Sequence, residues 1–145
     1  PDDWLDVLVP GLRERREAIR TALPHLGTLL LEPGKALSQP LGVVMSRVLD
    51  ARPSRSEVIL DASLAELSNI DYHPHRLLAH TASRGWHRLP RGEGRLLGRL
   101  CMEADILGRR RQVDHLSPGD PVVVCDAGAY DASMTYPFGQ GRAVS

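Results

Sequence analysis

The sequence predicts an α/β plus mostly β fold: the closing helix–strand unit of a larger α/β domain over residues 1–39, then a β domain over residues 40–145. Three observations carry this. Trp4, Leu5, Leu8, Leu12, Ile19 and Leu23 recur at helical spacing. Thr28-Leu29-Leu30-Leu31 is a continuous apolar run, the mark of a strand covered on both faces. Beyond Pro40 the helical period gives way to short β-branched runs separated by turn residues, which suits a β-barrel or sandwich.

Taken in order, Asp2 or Asp3 caps the first helix, and Pro10-Gly11 predicts a break or kink, leaving Arg13 to Leu23 as the stronger helical segment. Pro24-His25-Leu26-Gly27 ends it, and the strand Thr28–Leu31 runs out at Glu32-Pro33-Gly34. Such a strand needs neighbours on both sides, so the expectation is that further residues or a second chain supply them. Leu41 to Ala51 and Glu57 to Asp61 read as strands. Ser68 to Trp86 shows little periodicity and reads as a long connection with short elements. Arg95 to Leu100, Ile106-Leu107 with their flanks, and Pro121 to Cys125 are further strands, the last preceded by the turn Ser117-Pro118-Gly119-Asp120. Ala129 to Tyr136 reads as a short helix leading to Phe138-Gly139-Gln140-Gly141.

The 145 residues are 42% hydrophobic and 25% charged, ordinary for a globular protein, and 18 basic residues balance 18 acidic ones. No global field therefore favours nucleic acid or an anionic membrane. Arg109-Arg110-Arg111 is the one basic cluster, and without interleaved aromatics it reads as a solvated turn between strands. Pro1-Asp2-Asp3-Trp4 lacks the basic flank and apolar core of a signal peptide, and no apolar stretch approaches the ~20 residues that span a bilayer. Two cysteines make no disulfide framework, and Cys125 within Pro121–Cys125 reads as a small buried hydrophobe. A reduced, cytoplasmic setting is expected.

Three segments can carry chemistry. Glu32-Pro33-Gly34-Lys35 closes a buried strand, where α/β folds place ligand sites; the glycine lets backbone approach a ligand and the lysine offers an ammonium to phosphate. A plain turn with a surface lysine is the competing reading. Cys101, close to Glu103 and Asp105, can donate a proton while a carboxylate holds a substrate cation, or it is a half-buried thiol beside two solvated acids. Gly128-Ala129-Tyr130 follows a strand and opens the expected helix, a setting for an anion, or for a tyrosine that merely packs. His73, His75 and His80 lack the spacing of a helical ligand pair with an adjacent glutamate, so no zinc site is expected. No glycine-rich nucleotide loop of the GxGxxG or Walker type is present.

In order and spacing, these segments resemble the fold-type III pyridoxal-phosphate decarboxylases that act on ornithine, arginine or diaminopimelate. Leu31 to Lys35 is similar to that family's EPGR segment, and Leu41-Gly42-Val43 through Arg47-Val48-Leu49 to the strand entering its second domain. Ile59 to Ser63 resembles the following strand, and Gly98 to Leu107 resembles GxxCxxxDxL. Gly119-Asp120 and Asp126 to Met134, with Phe138, resemble the closing GD…AGAYxxSM…F pattern.

The resemblance implies the last helix–strand unit of a (β/α)8 barrel ending near residue 39, a C-terminal β-barrel or sandwich over 40–145, and a head-to-tail homodimer with active sites at the interface. It implies pyridoxal 5′-phosphate near Glu32 and Gly34, with its phosphate on Lys35 and Tyr130. Cys101 would reach the partner's cofactor and protonate the substrate carbon that loses carbon dioxide, and Glu103 or Asp105 would help recognise an amino-acid substrate. The Schiff-base lysine of the family precedes the helix that opens this sequence, so it is expected on a longer chain or a complementary barrel chain. Lys35, the only lysine here, stands in the phosphate motif instead.

Three departures bear on function. Lys35 replaces the usual arginine, giving a point charge where a bidentate fork is normal. Met102 replaces an acid that ornithine and diaminopimelate enzymes typically carry, with Glu103 one place later. The RPxLYxAxH-like stretch reads His73-Pro74-His75-Arg76-Leu77-Leu78-Ala79-His80, which implies a substrate other than diaminopimelate, a modified or carrier-linked amino acid. The alternative is a non-catalytic relative that keeps the β domain for dimerisation or regulation, and a racemase of related fold ranks below both.

Overall fold

The computed structural model describes residues 4–138 apart from Pro74, with side chains from residue 8 onward. The expected caps Asp2 and Asp3, and Gly139 to Gly141, lie outside the described residues. The chain divides into two compact units, Pro1–Ala36 and Leu37–Ser145.

In the first unit, α1 spans Trp4–Glu14 and α2 spans Arg16–Ala22. No break forms at Pro10-Gly11: the helix runs through Pro10, and the interruption comes at Arg15. There the Arg15 N–H still reaches Gly11 O at 3.3 Å and Ile19 N–H reaches Arg15 O at 2.9 Å, so the two helices stay nearly continuous. Thr28–Leu31 was expected to be a strand and is not one. A strand exists only as part of a ladder, and no described segment pairs with it; Leu29, Leu30 and Leu31 remain 53%, 81% and 50% exposed. A short helix, α3 over Gly34–Ser38, and a 3₁₀ turn over Gln39–Leu41 follow.

The second unit is one sheet. Its strands are β1 (Val43–Arg52), β2 (Glu57–Leu60), β3 (Leu77–Thr81), β4 (Gly85–Arg88), β5 (Arg91–Leu97), β6 (Ile106–Arg111) and β7 (Pro121–Cys125). They lie in the order β4-β3-β7-β1-β2-β5-β6, all antiparallel neighbours except the parallel pair β2 and β5. Alternation along β1 turns Ser46 and Val48 inward while Val43, Met45 and Leu49 face out. Val48, Leu60, Leu67, Leu77, Leu89, Leu96, Leu107, Val122 and Val124 fill the core.

The sheet curls into a half-barrel, so neither a two-sheet sandwich nor a fully closed barrel is formed. A Cβ on Gly108 of β6 would stand 2.9 Å from Leu77 Cδ1 of β3, although four strands separate β6 from β3 in the sheet order. Three sequence expectations change here. The connection read over Ser68–Trp86 contains β3 and the first half of β4. Arg109–Arg111 belongs to β6, not to a turn. Ala129–Tyr136 forms successive turns instead of a helix. Tyr130 adopts a left-handed φ of 68° that breaks a helical path, and the Asp131 side chain is drawn inward to buried partners.

Candidate functional site

The Gly98–Asp105 loop joins β5 to β6 and is built around one buried carboxylate. Asp105 is 2% exposed, and both of its oxygens accept main-chain hydrogen bonds: Oδ1 from Leu64 N–H at 2.8 Å, Oδ2 from Leu100 N–H at 2.7 Å. Gly98 donates its N–H to Asp105 O at 2.8 Å, and Asp105 N–H closes a turn on Met102 O at 3.1 Å. A side chain at position 98 would overlap the Asp105 carboxylate, which is why glycine opens this motif.

A second clamp flanks the loop. The Arg99 guanidinium donates to Asp61 O and pairs with Glu66, whose Oε2 also accepts from Ser63 N–H at 2.9 Å and Ser63 Oγ at 2.6 Å. Burial opposes the Glu66 charge, yet these donors together hold its carboxyl below the ordinary value. The Asp61 carboxylate in turn accepts from Ser46 Oγ at 2.6 Å and Arg47 N–H at 2.8 Å. Cys101, Met102 and Glu103 project from this scaffold as exposed side chains. Glu103 lines an open cleft of about 650 Å³ together with Arg52, Arg55, Arg95 and Leu97.

The segment carrying Tyr130 is anchored on its other side. Gly128 N–H donates to Gln39 O at 3.0 Å and Ala127 N–H to Gly42 O at 2.9 Å, and Gly42 and Gly128 approach so closely that neither has room for a Cβ. Asp126 is gripped by Arg76 through two bonds of 2.8 Å, and that guanidinium pulls its carboxyl below the usual range. Beneath lies a buried pair: Asp131 Oδ2 meets His75 Nε2 at 3.2 Å, Oδ1 accepts from Asn69 N–H at 3.1 Å, and both side chains are 2% exposed. His75 Nδ1 faces His73 O at 2.9 Å; a carbonyl only accepts, so Nδ1 carries the hydrogen. Tyr130 itself is exposed. With no helix after Gly128, the anion setting expected from a helix N-terminus is absent, and what remains is the hydroxyl.

In the other unit, Glu32 is exposed, Gly34 opens α3, and Lys35 Nζ is buried without a hydrogen-bond partner. Among the described residues no three histidine, cysteine or acidic side chains gather as metal ligands. Nor is any described helix long and apolar enough to cross a membrane. Cys125 is buried and its thiol pKa is raised by that burial. The residues missed in the sequence are the supports: Glu66, Arg99, His75 and Asp131. Only the Ser63-x-x-Glu66 spacing, a capping-box pattern, was there to be read.

The model of the pyridoxal-dependent decarboxylase C-terminal sheet domain matches residues 37–128. Diaminopimelate decarboxylase of Zymomonas mobilis is 30% identical over 110 residues, covering 73% of this chain and 25% of the relative. That of Haemophilus influenzae is 27% identical over 137 residues, covering 93% of this chain and 30% of the relative. Among solved structures, diaminopimelate decarboxylase from Helicobacter pylori complexed with L-lysine superposes with a TM-score of 0.65 at 26% identity, over 84% of this chain and 30% of that one. The chain thus spans between a quarter and a third of the length of these relatives.

Proposed function

The chain belongs to the pyridoxal-dependent decarboxylase family through its C-terminal sheet domain, and from that premise we propose that it is the C-terminal part of an amino-acid decarboxylase whose proton donor is Cys101. The observation that carries the proposal is the loop itself: an exposed thiol held on a turn whose central support, Asp105, is buried with both carboxylate oxygens hydrogen-bonded. Such rigidity serves a group that must meet a substrate atom at a fixed position.

Lys35 supports pyridoxal 5′-phosphate as the group these residues would hold. A buried ammonium without a partner needs an anion, and a phosphate oxygen meets that need. Lys35 and the Tyr130 hydroxyl would hold the phosphate, with Glu32 and Gly34 beside the cofactor. When bound, the cofactor supplies the electron sink for the breaking carbon–carboxylate bond. Cys101 Sγ holds a proton and delivers it to the substrate carbon that has lost its carboxylate. In a head-to-tail homodimer Cys101 would serve the partner subunit's cofactor; a complementary barrel chain is the other arrangement that would complete the site.

For substrate recognition, Glu103 faces the open cleft and receives an ammonium group, while Asp105, with both oxygens taken, holds the loop. The substrate reading differs from diaminopimelate because the His73–His80 stretch offers no free arginine: Arg76 is committed to Asp126. The test is Cys101→Ala in the complete enzyme. Turnover falls about 100-fold or more, the scale of a lost general acid, while cofactor absorbance stays. Undiminished turnover removes Cys101 from the reaction, and a wild-type protein with neither cofactor band nor turnover establishes the non-catalytic relative.

A further inference from the structure

Beside the Tyr130 turn, and sharing its supports Arg76 and His75, lies a concavity of about 510 Å³ lined by six arginines, Arg76, Arg88, Arg91, Arg109, Arg110 and Arg111, together with His75. We propose that this concavity is a binding site for a small polyphosphate anion, a ligand carrying two or more linked phosphates.

The geometry is built, not incidental. Along a regular strand, successive side chains alternate between faces, so three consecutive arginines cannot line one hollow. Here they do, because Arg110 takes a left-handed φ of 53° and the β5–β6 register shifts at Arg91, Gly94 and Leu96. Gly92 permits the bulge: a Cβ there would stand 2.8 Å from Gln112 Cα, and Gln112 N–H donates to Pro90 O at 3.0 Å. A non-glycine residue in the left-handed region carries a conformational cost that the surrounding ladder must hold in place, and such costs concentrate at ligand sites.

The charge is uncompensated. Arg76 is paired with Asp126, but Arg88, Arg91, Arg109, Arg110 and Arg111 have no ion pair among the described residues. Among the described residues no carboxylate lines the concavity; Asp71 lies in one adjoining hollow with Arg109 and Arg111, and Glu93 and Asp114 in another with Arg111. Arg111 Nε is buried without a hydrogen-bond partner, and burial followed by the charges of Arg88 and Arg91 pushes its guanidinium below the ordinary value. An anion seated here would relieve the repulsion and satisfy the orphaned donor at once.

Size and surroundings select among anions. The volume is that of a small-molecule pocket, within the usual ~300–1,000 Å³, and a lone orthophosphate would leave most of the guanidinium forks unmet. A nucleic-acid strand calls for aromatic stacking platforms along a basic track, and among the described residues no aromatic side chain other than His75 lines this hollow.

The experiment is calorimetric titration of the intact natural protein, saturated with pyridoxal phosphate so that the cofactor's phosphate site is filled, with sodium tripolyphosphate as probe. Saturable binding at one site is expected, at least tenfold tighter than orthophosphate at matched ionic strength, because more charged hydrogen bonds form. Arg110→Gly, which suits the left-handed backbone, and Arg88→Gln on the edge strand each weaken binding about tenfold. Both variants unfold at or above the wild-type temperature, since each removes a repelling charge. Absence of saturable binding, binding unchanged in both variants, or a single-stranded oligonucleotide outcompeting tripolyphosphate in charge-matched titrations would each overturn the proposal.

Discussion

Asp105→Asn separates a scaffolding carboxylate from a substrate ligand. Asp105 accepts one main-chain bond on each oxygen, at 2.8 and 2.7 Å, in a site closed to solvent. Bonds to a charged group contribute about 1.5–3 kcal/mol each. Asparagine keeps one carbonyl oxygen, turning one of these bonds neutral, and aims an amide donor at the N–H of Leu64 or Leu100. Relief from burying a charge offsets part of the loss, so the net cost is about 2–4 kcal/mol. That is a large share of the ~5–15 kcal/mol that holds a domain together. The assay is urea unfolding of the intact protein, with hydrogen exchange at the Leu64 and Leu100 amides. Both amides exchange faster in the variant, and turnover falls because Cys101 loses its fixed position. A variant within ~0.5 kcal/mol of the parent, with unchanged exchange and a raised KM, would refute the argument and return Asp105 to the substrate.

Gly98→Ala forces a Cβ onto the Asp105 carboxylate and should cost ~1–3 kcal/mol; combined with Asp105→Asn it should cost less than the sum, read from the same urea curves. Asp131→Ala removes the partner of buried His75 and of the Asn69 N–H and should cost about 3 kcal/mol, whereas a change within the noise of the melting curve would mean the pair contributes nothing. The Asp126 carboxyl is held low by Arg76, so its contribution is complete above the unfolded carboxylate pKa of ~3.9 and is lost as pH falls through the lower folded value. Because Arg76 is largely exposed, that contribution is under ~1 kcal/mol and fades with salt; Arg76→Gln should flatten the acid limb of stability below about pH 4, and an unaltered limb would deny the coupling.

What could be read in the sequence was whatever depends on local order. β1, β2 and β7 were legible because β-branched runs ended at turns, and Gly98, Cys101 and Asp105 stood out by spacing. The role of Asp105 was not legible, since its partners include Leu64, forty-one positions earlier. β3 and β4 hid in the histidine-rich stretch because His80 and His87 occupy half-buried ladder positions that composition assigns to loops. The leucines at 29–31 misled for the opposite reason: an apolar run states what a segment needs, and no ladder partner is present among the described residues. Tyr130 looked like the second residue of a helix, but Asp131 answers to a buried histidine rather than to the next turn.

The place of β7 in the sheet has a consequence for synthesis. It pairs with β1 on one side and β3 on the other, so the last of the described strands to leave the ribosome is the one that joins β4-β3 to β1-β2-β5-β6. Until residue 125 has emerged, the nascent domain is two separate ribbons, each with an open edge that can pair with another chain. A break in translation before residue 121 therefore leaves two half-sheets instead of a shortened domain, and the turn bearing Tyr130 is fixed only by the event that completes the whole.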